Sequence, residues 1–252
     1  MGKIIRRILM AVLLVVFVVC AGTVGVAKHQ YSKAQKLYDD TAQQFTAETT
    51  SEDPNAAPIT VDFAGLKATN DEIVGWIYCE NTIINYPILK GTDNDFYLHR
   101  ASDKTYNFNG SIFVEAQNRD IFTDSNTIIY GHNMKNGTMF QGLENWKEQS
   151  YYDAHPVIWI LTPERDYKLK LFSGYTTSAT SDTYQIFSDA GAELNSYLNA
   201  VVKKSDFQPK DVQLTEDGKY VLLSTCAYVF DDARYVLHGI LEPADSAGGI
   251  VQ

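Results

Sequence analysis

Hydrophobic and polar positions divide the chain into stretches of different character. Residues 8–27 are apolar without a single charge and follow Lys3, Arg6 and Arg7, a run of about the length that crosses the hydrocarbon core of a bilayer as a helix. Residues 28–48 are polar and helix-favouring. Their Tyr31, Leu37, Tyr38 and Phe45 are too sparse to define a packed face, so the segment reads as a stalk. Residues 49–58, rich in Thr, Ser, Asp, Asn, Pro and Ala, have the composition of a linker.

From Ile59 onward the pattern changes to short apolar, β-branched runs between polar turns. Eight runs read as strands: 72–78, 82–89, 110–115, 126–131, 157–161, 167–176, 220–226 and 234–241. Helical patterns are few. One covers 62–70, a short turn covers 92–100 with Phe96, Tyr97 and Leu98 facing inward, and an amphipathic helix is expected over 138–148 from Met139, Leu143 and Trp146. A last helix, capped by Asp189, runs through Leu194, Leu198 and Val202 to Lys203 and Lys204. Many short strands with few helices predict a mainly β fold, one closed barrel of about eight strands with peripheral helices, behind an N-terminal transmembrane helix. The expected division is an anchor over 1–27, a stalk and linker over 28–58, the barrel over 59–243 and a flexible tail over 244–252.

Candidate chemistry concentrates in the last two strands. They are joined by the short segment 227–233, which carries Asp231 and Asp232 and suits a hairpin loop. Pairing them sets Cys226, leaving one strand, beside Arg234, entering the next, with roughly 5 Å between backbones. A cysteine attacks as its thiolate, and a permanent cation at that distance favours the anion and can hold an oxyanion. Alternation places Leu222, Ser224 and Cys226 on one face, so Ser224 becomes a wall residue if Cys226 reacts. A cysteine closing an apolar strand is also often a small buried hydrophobe, and spacing alone leaves both readings open.

Charge and cysteine content narrow the classes. A formal net charge of −10 without a clustered basic face excludes a nucleic-acid binder. Cys20, Cys79 and Cys226 build no disulfide framework and match no metal-ligand spacing, and Cys79, within a strand-like run, reads as structural. A cleaved leader ending at residues 25–27 is the alternative to an anchor, but the apolar core exceeds the usual secretory length. His132 stands where a strand empties into a loop, a position suited to reaching a substrate, though His29, His99, His155 and His238 also compete.

Leu223, Ser224, Thr225 and Cys226, with Arg234 opening the next strand and His132 in a Tyr-Gly-His sequence, resemble the signature of sortases, the membrane-anchored cysteine transpeptidases of Gram-positive bacteria. The likeness covers roughly 63–242. The long helix-bearing excursion before Cys226 resembles the class B branch. The resemblance implies that Cys226 cleaves a C-terminal sorting motif after Thr, that His132 moves the protons and that Arg234 holds the oxyanion or the substrate backbone. It further implies that Asn94 and Leu98 border the substrate groove, with Thr180, Tyr184 and Ile186 of the excursion as readers of the motif. Implied partners are secreted surface proteins bearing a sorting signal and a cell-wall precursor amine, with no cofactor and no metal. The implied location is the cell membrane, single-pass, with the catalytic domain extracellular. Ala227 and a Cys-to-Arg loop shorter than in some class B members depart from the pattern. A papain-like hydrolase, whose nucleophile opens a helix, and a catalytically silent tethered binding module are the competing classes.

Overall fold

The computed structural model describes residues 2–51 and 53–244; the tail expected over 244–252 lies outside them except for Ala244. Helix α1 (Gly2–Phe45) is a single element of 44 residues, and with no proline in it nothing interrupts the hydrogen-bond ladder. Its apolar part is exposed, and its most apolar window has a mean hydropathy of 2.8, long and apolar enough to cross a membrane. The expected stalk is not detached, because Ala34 and Tyr38 near its end are buried. Tyr38 donates its hydroxyl to the Gly110 carbonyl, lies 3.0 Å from Ser111 Oγ and meets the Tyr86 ring edge-on at 5.4 Å. Tyr31, Leu37, Ala42 and Phe45 pack beside Ala34 and Tyr38 at helical spacing, so the residues that looked too sparse for a packed face do form one.

Strand β1 (Thr46–Glu48) pairs antiparallel with β2 (Ile59–Val61), so the polar linker is a loop between paired strands. Helix α2 (Phe63–Thr69) starts where the Asp62 carboxylate accepts the Gly65 N–H at 2.9 Å, satisfying a donor that a helix start leaves open. The remaining elements are β3 (Ile73–Tyr78), β4 (Asn85–Leu89), β5 (Ile112–Val114), β6 (Asn126–Tyr130), α3 (Gln149–Ala154), β7 (Val157–Leu161), β8 (Asp166–Ser178), α4 (Ala192–Val202), β9 (Tyr220–Cys226) and β10 (Ala233–Pro243).

Strands β3 to β10 form a closed mixed barrel in the order β10-β8-β7-β3-β4-β5-β6-β9. The eight expected runs are these eight strands. β4–β5 and β6–β9 pair parallel, the rest antiparallel. Ile77, Ile88, Ile129, Leu171, Leu223 and Leu237 fill the interior. Outside, α4 packs Leu194, Leu198 and Val201 over Leu222, Val236 and Ile240, while α2 and β2 cover Trp76, Leu89 and Leu161. Wall strands buried on both faces need near-continuous apolar runs.

Three helical expectations are corrected. In the 92–100 turn only Tyr97 is buried, while Phe96, expected to face inward, is exposed with Arg100 over its ring. Over 138–148 the chain forms a 3₁₀ helix, Gln141–Lys147, because the buried residues Phe140, Leu143 and Trp146 repeat every third position, the period of that helix. Met139, at φ 58°, stands outside it. Asp189 caps nothing: α4 starts after Gly191, and the Asp189 carboxylate lies 3.8 Å from Arg119. Val201 rather than Val202 faces inward.

Candidate active site

Strand pairing alone brings three distant residues into a row. β6 and β9 run the same way with Tyr130 opposite Ser224, so two residues further on His132 stands level with Cys226. β10 runs back along the other side of β9 with Arg234 opposite Cys226. Cys226 is therefore the centre of three adjacent strand ends, flanked at about one inter-strand spacing of ~4.8 Å on either side. Thr225 Oγ1 donates to the Gly131 carbonyl at 2.8 Å, and the Gly131 N–H donates to the Ser224 carbonyl at 3.1 Å, extending the β6–β9 pairing to the loop. Gly131 is needed there, since a Cβ would lie 2.6 Å from the Phe140 ring. Asn133 Nδ2 ties the far side by donating to the Cys226 carbonyl at 2.6 Å and to Glu144 at 3.1 Å.

Cys226, His132 and Arg234 line one cleft of about 240 Å³ on the outer face of the barrel, between the cover made by α4 and that made by α2. Cys226 is half-buried and carries no disulfide. His132 Nε2 lies 2.8 Å from the Leu98 carbonyl. A carbonyl only accepts, so Nε2 carries the proton of the neutral ring and Nδ1 is left as the basic nitrogen. Burial pushes the His132 pKa below the usual imidazole value; the Leu98 carbonyl opposes that shift and the stacked His99 ring adds to it. Arg234 Nη1 donates to the Ala233 carbonyl at 3.0 Å, and among the described residues no carboxylate pairs with its guanidinium. Most of its donors remain available for an anion.

The expected wall residues divide. Ser224, Asn94 and Leu98 line the cleft. The Asn94 amide is committed behind the wall, with Nδ2 donating to both Glu115 oxygens at 2.8 Å and Oδ1 accepting from the Ala116 N–H. Leu98 contributes its carbonyl as well as its side chain. Tyr184 Oη lies 2.8 Å from Ser224 Oγ, one step behind the surface. Thr180 and Ile186 do not line the cleft. Thr180 sits in an exposed turn against Ser178 Oγ, and Ile186 packs against the cluster beneath α4.

Tyr130 and Glu115 had not been singled out. Tyr130 lines the cleft, stacks on Tyr184 at 6.3 Å and donates to Glu115 at 2.9 Å; burial, then the Glu115 charge, hold its hydroxyl protonated. The signal was present, because Tyr130 is two residues from His132 and so shares its face. Glu115 showed only as a charge closing an apolar strand. The competing cysteine and histidine are spoken for elsewhere. Cys79 is sealed in the interior, its thiol pushed up to about 12 by burial, and His238 is enclosed beneath α4.

A thiol between an imidazole and a guanidinium, on the wall of a closed mixed barrel, is equipped for acyl transfer through a thioester. The family model for the sortase domain matches residues 77–242. Sortase B of Listeria monocytogenes is 31% identical over 234 residues, covering 91% of this chain and 94% of that protein. Among solved structures, sortase B from B. anthracis in complex with AAEK1 superposes with a TM-score of 0.72 at 30% identity, covering 85% of this chain and 99% of that one. A Staphylococcus aureus sortase B–substrate complex superposes at 0.68 and 30% identity, covering 73% and 85%. The chain belongs to the sortase family, and within it to class B, a sortase transpeptidase.

Proposed function

We propose that this enzyme, held at the membrane by residues 8–27 with its barrel outside the cell, cuts a sorting signal of LPxTG-like or class B type after Thr and joins the protein to a cell-wall amine. The observation that carries the reading is the convergence of Cys226, His132 and Arg234 at three neighbouring strand ends of one cleft. A substrate bound to the related S. aureus enzyme supports a sorting-signal ligand for the same groove.

The Cys226 thiolate attacks the Thr carbonyl carbon. Its oxygen takes up the negative charge, which Arg234 holds through N–H donors that have no carboxylate competitor. The C–N bond then breaks as His132, in its protonated form, gives a proton to the departing amine. The thioester on Cys226 is resolved when an acceptor amine attacks it, passes its proton to His132 and restores the thiolate. Burial lowers the His132 pKa below the usual imidazole value, so the resting ring is neutral and ready to take a proton, and once protonated it is a stronger acid toward the departing amine. Ser224, Leu98 and Tyr130 form the walls that position the motif, and the hydroxyl of Tyr184 orients Ser224.

The test uses the full chain in detergent with a library of five-residue motif peptides, read by mass spectrometry. The expected result is a hydroxylamine-labile acyl adduct on Cys226 for one motif class, with no adduct in Cys226→Ala. Cleavage of equal rate by Cys226→Ala would overturn the mechanism.

A further inference from the structure

The segment between the 3₁₀ turn Phe96–Leu98 and β5 leaves two large aromatic side chains in solvent. Tyr106 is 71% exposed and Phe108 42%, while their neighbours Asn107 and Asn109 are buried. The segment is well tied: the Asn107 N–H donates to the His99 carbonyl, Arg100 bridges Tyr106, and Asn109 donates to Thr138 at 3.1 Å. A rigid loop that presents aromatics outward calls for a surface to receive them.

The position of that surface follows from α1. The apolar stretch ends at residue 27, and the helix continues unbroken to Phe45. Tyr31 lies four residues further, about 6 Å along the axis. The polar headgroup layer outside the hydrocarbon core is itself about 5–7 Å thick. Phe108 packs edge-on against Tyr31 with ring centroids 5.2 Å apart, and Tyr106 lies alongside Gln30 and Lys33. Both aromatics thus stand at the level where a transmembrane helix leaves the lipid, the level at which Tyr and Trp gather in membrane proteins. Ala34 and Tyr38, buried against the domain, hold that height constant.

We propose that Tyr31, Tyr106 and Phe108 form an interfacial anchor that docks the catalytic domain onto the bilayer surface, with Lys28 and Lys33 facing the lipid phosphates. The inference rests on the reading of residues 8–27 as a membrane span. Its consequence is a fixed orientation. The docked loop starts at Leu98, whose carbonyl receives His132, so the loop that meets the membrane also walls the cleft.

The test places the full chain in phosphatidylcholine–phosphatidylglycerol vesicles containing lipid brominated near the carbonyl end of the acyl chain. Tyr106→Trp adds a reporter at the loop. Asn199→Trp adds one on α4, which covers β10 across the barrel from β4, the strand that α1 meets. Flotation with the vesicles reads the span independently. The expected result is flotation of all chains, loss of about half of the emission added by Tyr106→Trp, and none of that added by Asn199→Trp. Flotation with unquenched Tyr106→Trp, or with both reporters quenched alike, would overturn the docking while leaving the span intact. Failure to float would overturn the span and the docking with it.

Discussion

The two ends of the β9–β10 hairpin have opposite fates. At one, Cys226 and Arg234 face each other in an open cleft beside His132. At the other, His238, paired with Leu222, stacks on Tyr175 at 5.4 Å beneath α4 and is 3% exposed. The ladder is continuous, yet one end opens Cys226 and Arg234 to a cleft and the other encloses an imidazole. Burial pushes His238 down to about 3, with Lys204 adding to the shift. The difference teaches that residue type supplies the potential for chemistry, and the covering layer decides where it is used.

The strongest way to break this comparison is to exchange the roles of like residues. Cys226→Ala is expected to lower turnover by about 10⁴-fold or more, on the scale of a lost triad member. Cys79→Ala, in contrast, leaves turnover intact and costs about 1–2 kcal/mol of stability, read by denaturant unfolding. Next, Arg234→Ala is expected to lower kcat/KM by about 10²–10³-fold, the cost of losing an oxyanion donor. Arg234→Lys recovers only part of this, because an ammonium restores the charge without the planar fork.

A third test addresses the closed end through pH. The folded ring of His238 stays neutral while the unfolded ring takes up a proton below about 6.5, so its contribution to stability is complete above that pH. It is lost as pH falls from about 6.5 to about 3. His238→Phe keeps the aromatic stack and is expected to flatten the acid side of the stability curve, by an amount on the order of 4 kcal/mol at full extent. An unchanged acid slope in thermal unfolding would remove His238 from the account. The smallest effect is expected at Tyr184→Phe, which frees Ser224 Oγ from its partner and raises KM by about fivefold, equivalent to one net hydrogen bond.

Much of this arrangement was legible before folding. The antiparallel register of Cys226 with Arg234 follows from two apolar runs and a seven-residue loop, and the number of strands follows from the runs themselves. The parallel neighbour of β9 was not legible, since no local pattern says which of eight similar runs lies beside it; only the motif around His132 pointed there. The packed face around Tyr38 was misread for a different reason. Tyr31, Leu37, Tyr38 and Phe45 stood in the sequence at helical spacing, but with polar residues between them they read as too sparse to pack, and the bonds of Tyr38 to Gly110 and Ser111 depend on a loop 72 residues away. Asn94 was placed at the groove, but its engagement with Glu115 needs two segments whose approach only the closed barrel defines. The 3₁₀ helix was mistaken for an α-helix because Met139, Leu143 and Trp146 fit the longer period about as well as Phe140, Leu143 and Trp146 fit the shorter.

The parallel contact between β6 and β9 also bears on when the cleft takes shape. Asn133 and Cys226 are separated by 93 residues and meet only after everything between them has been laid down. An unfinished or half-folded chain therefore lacks the cleft in which Cys226, His132 and Arg234 meet. The cleft is thus a product of the finished barrel, set by connectivity across the whole domain rather than by any local segment.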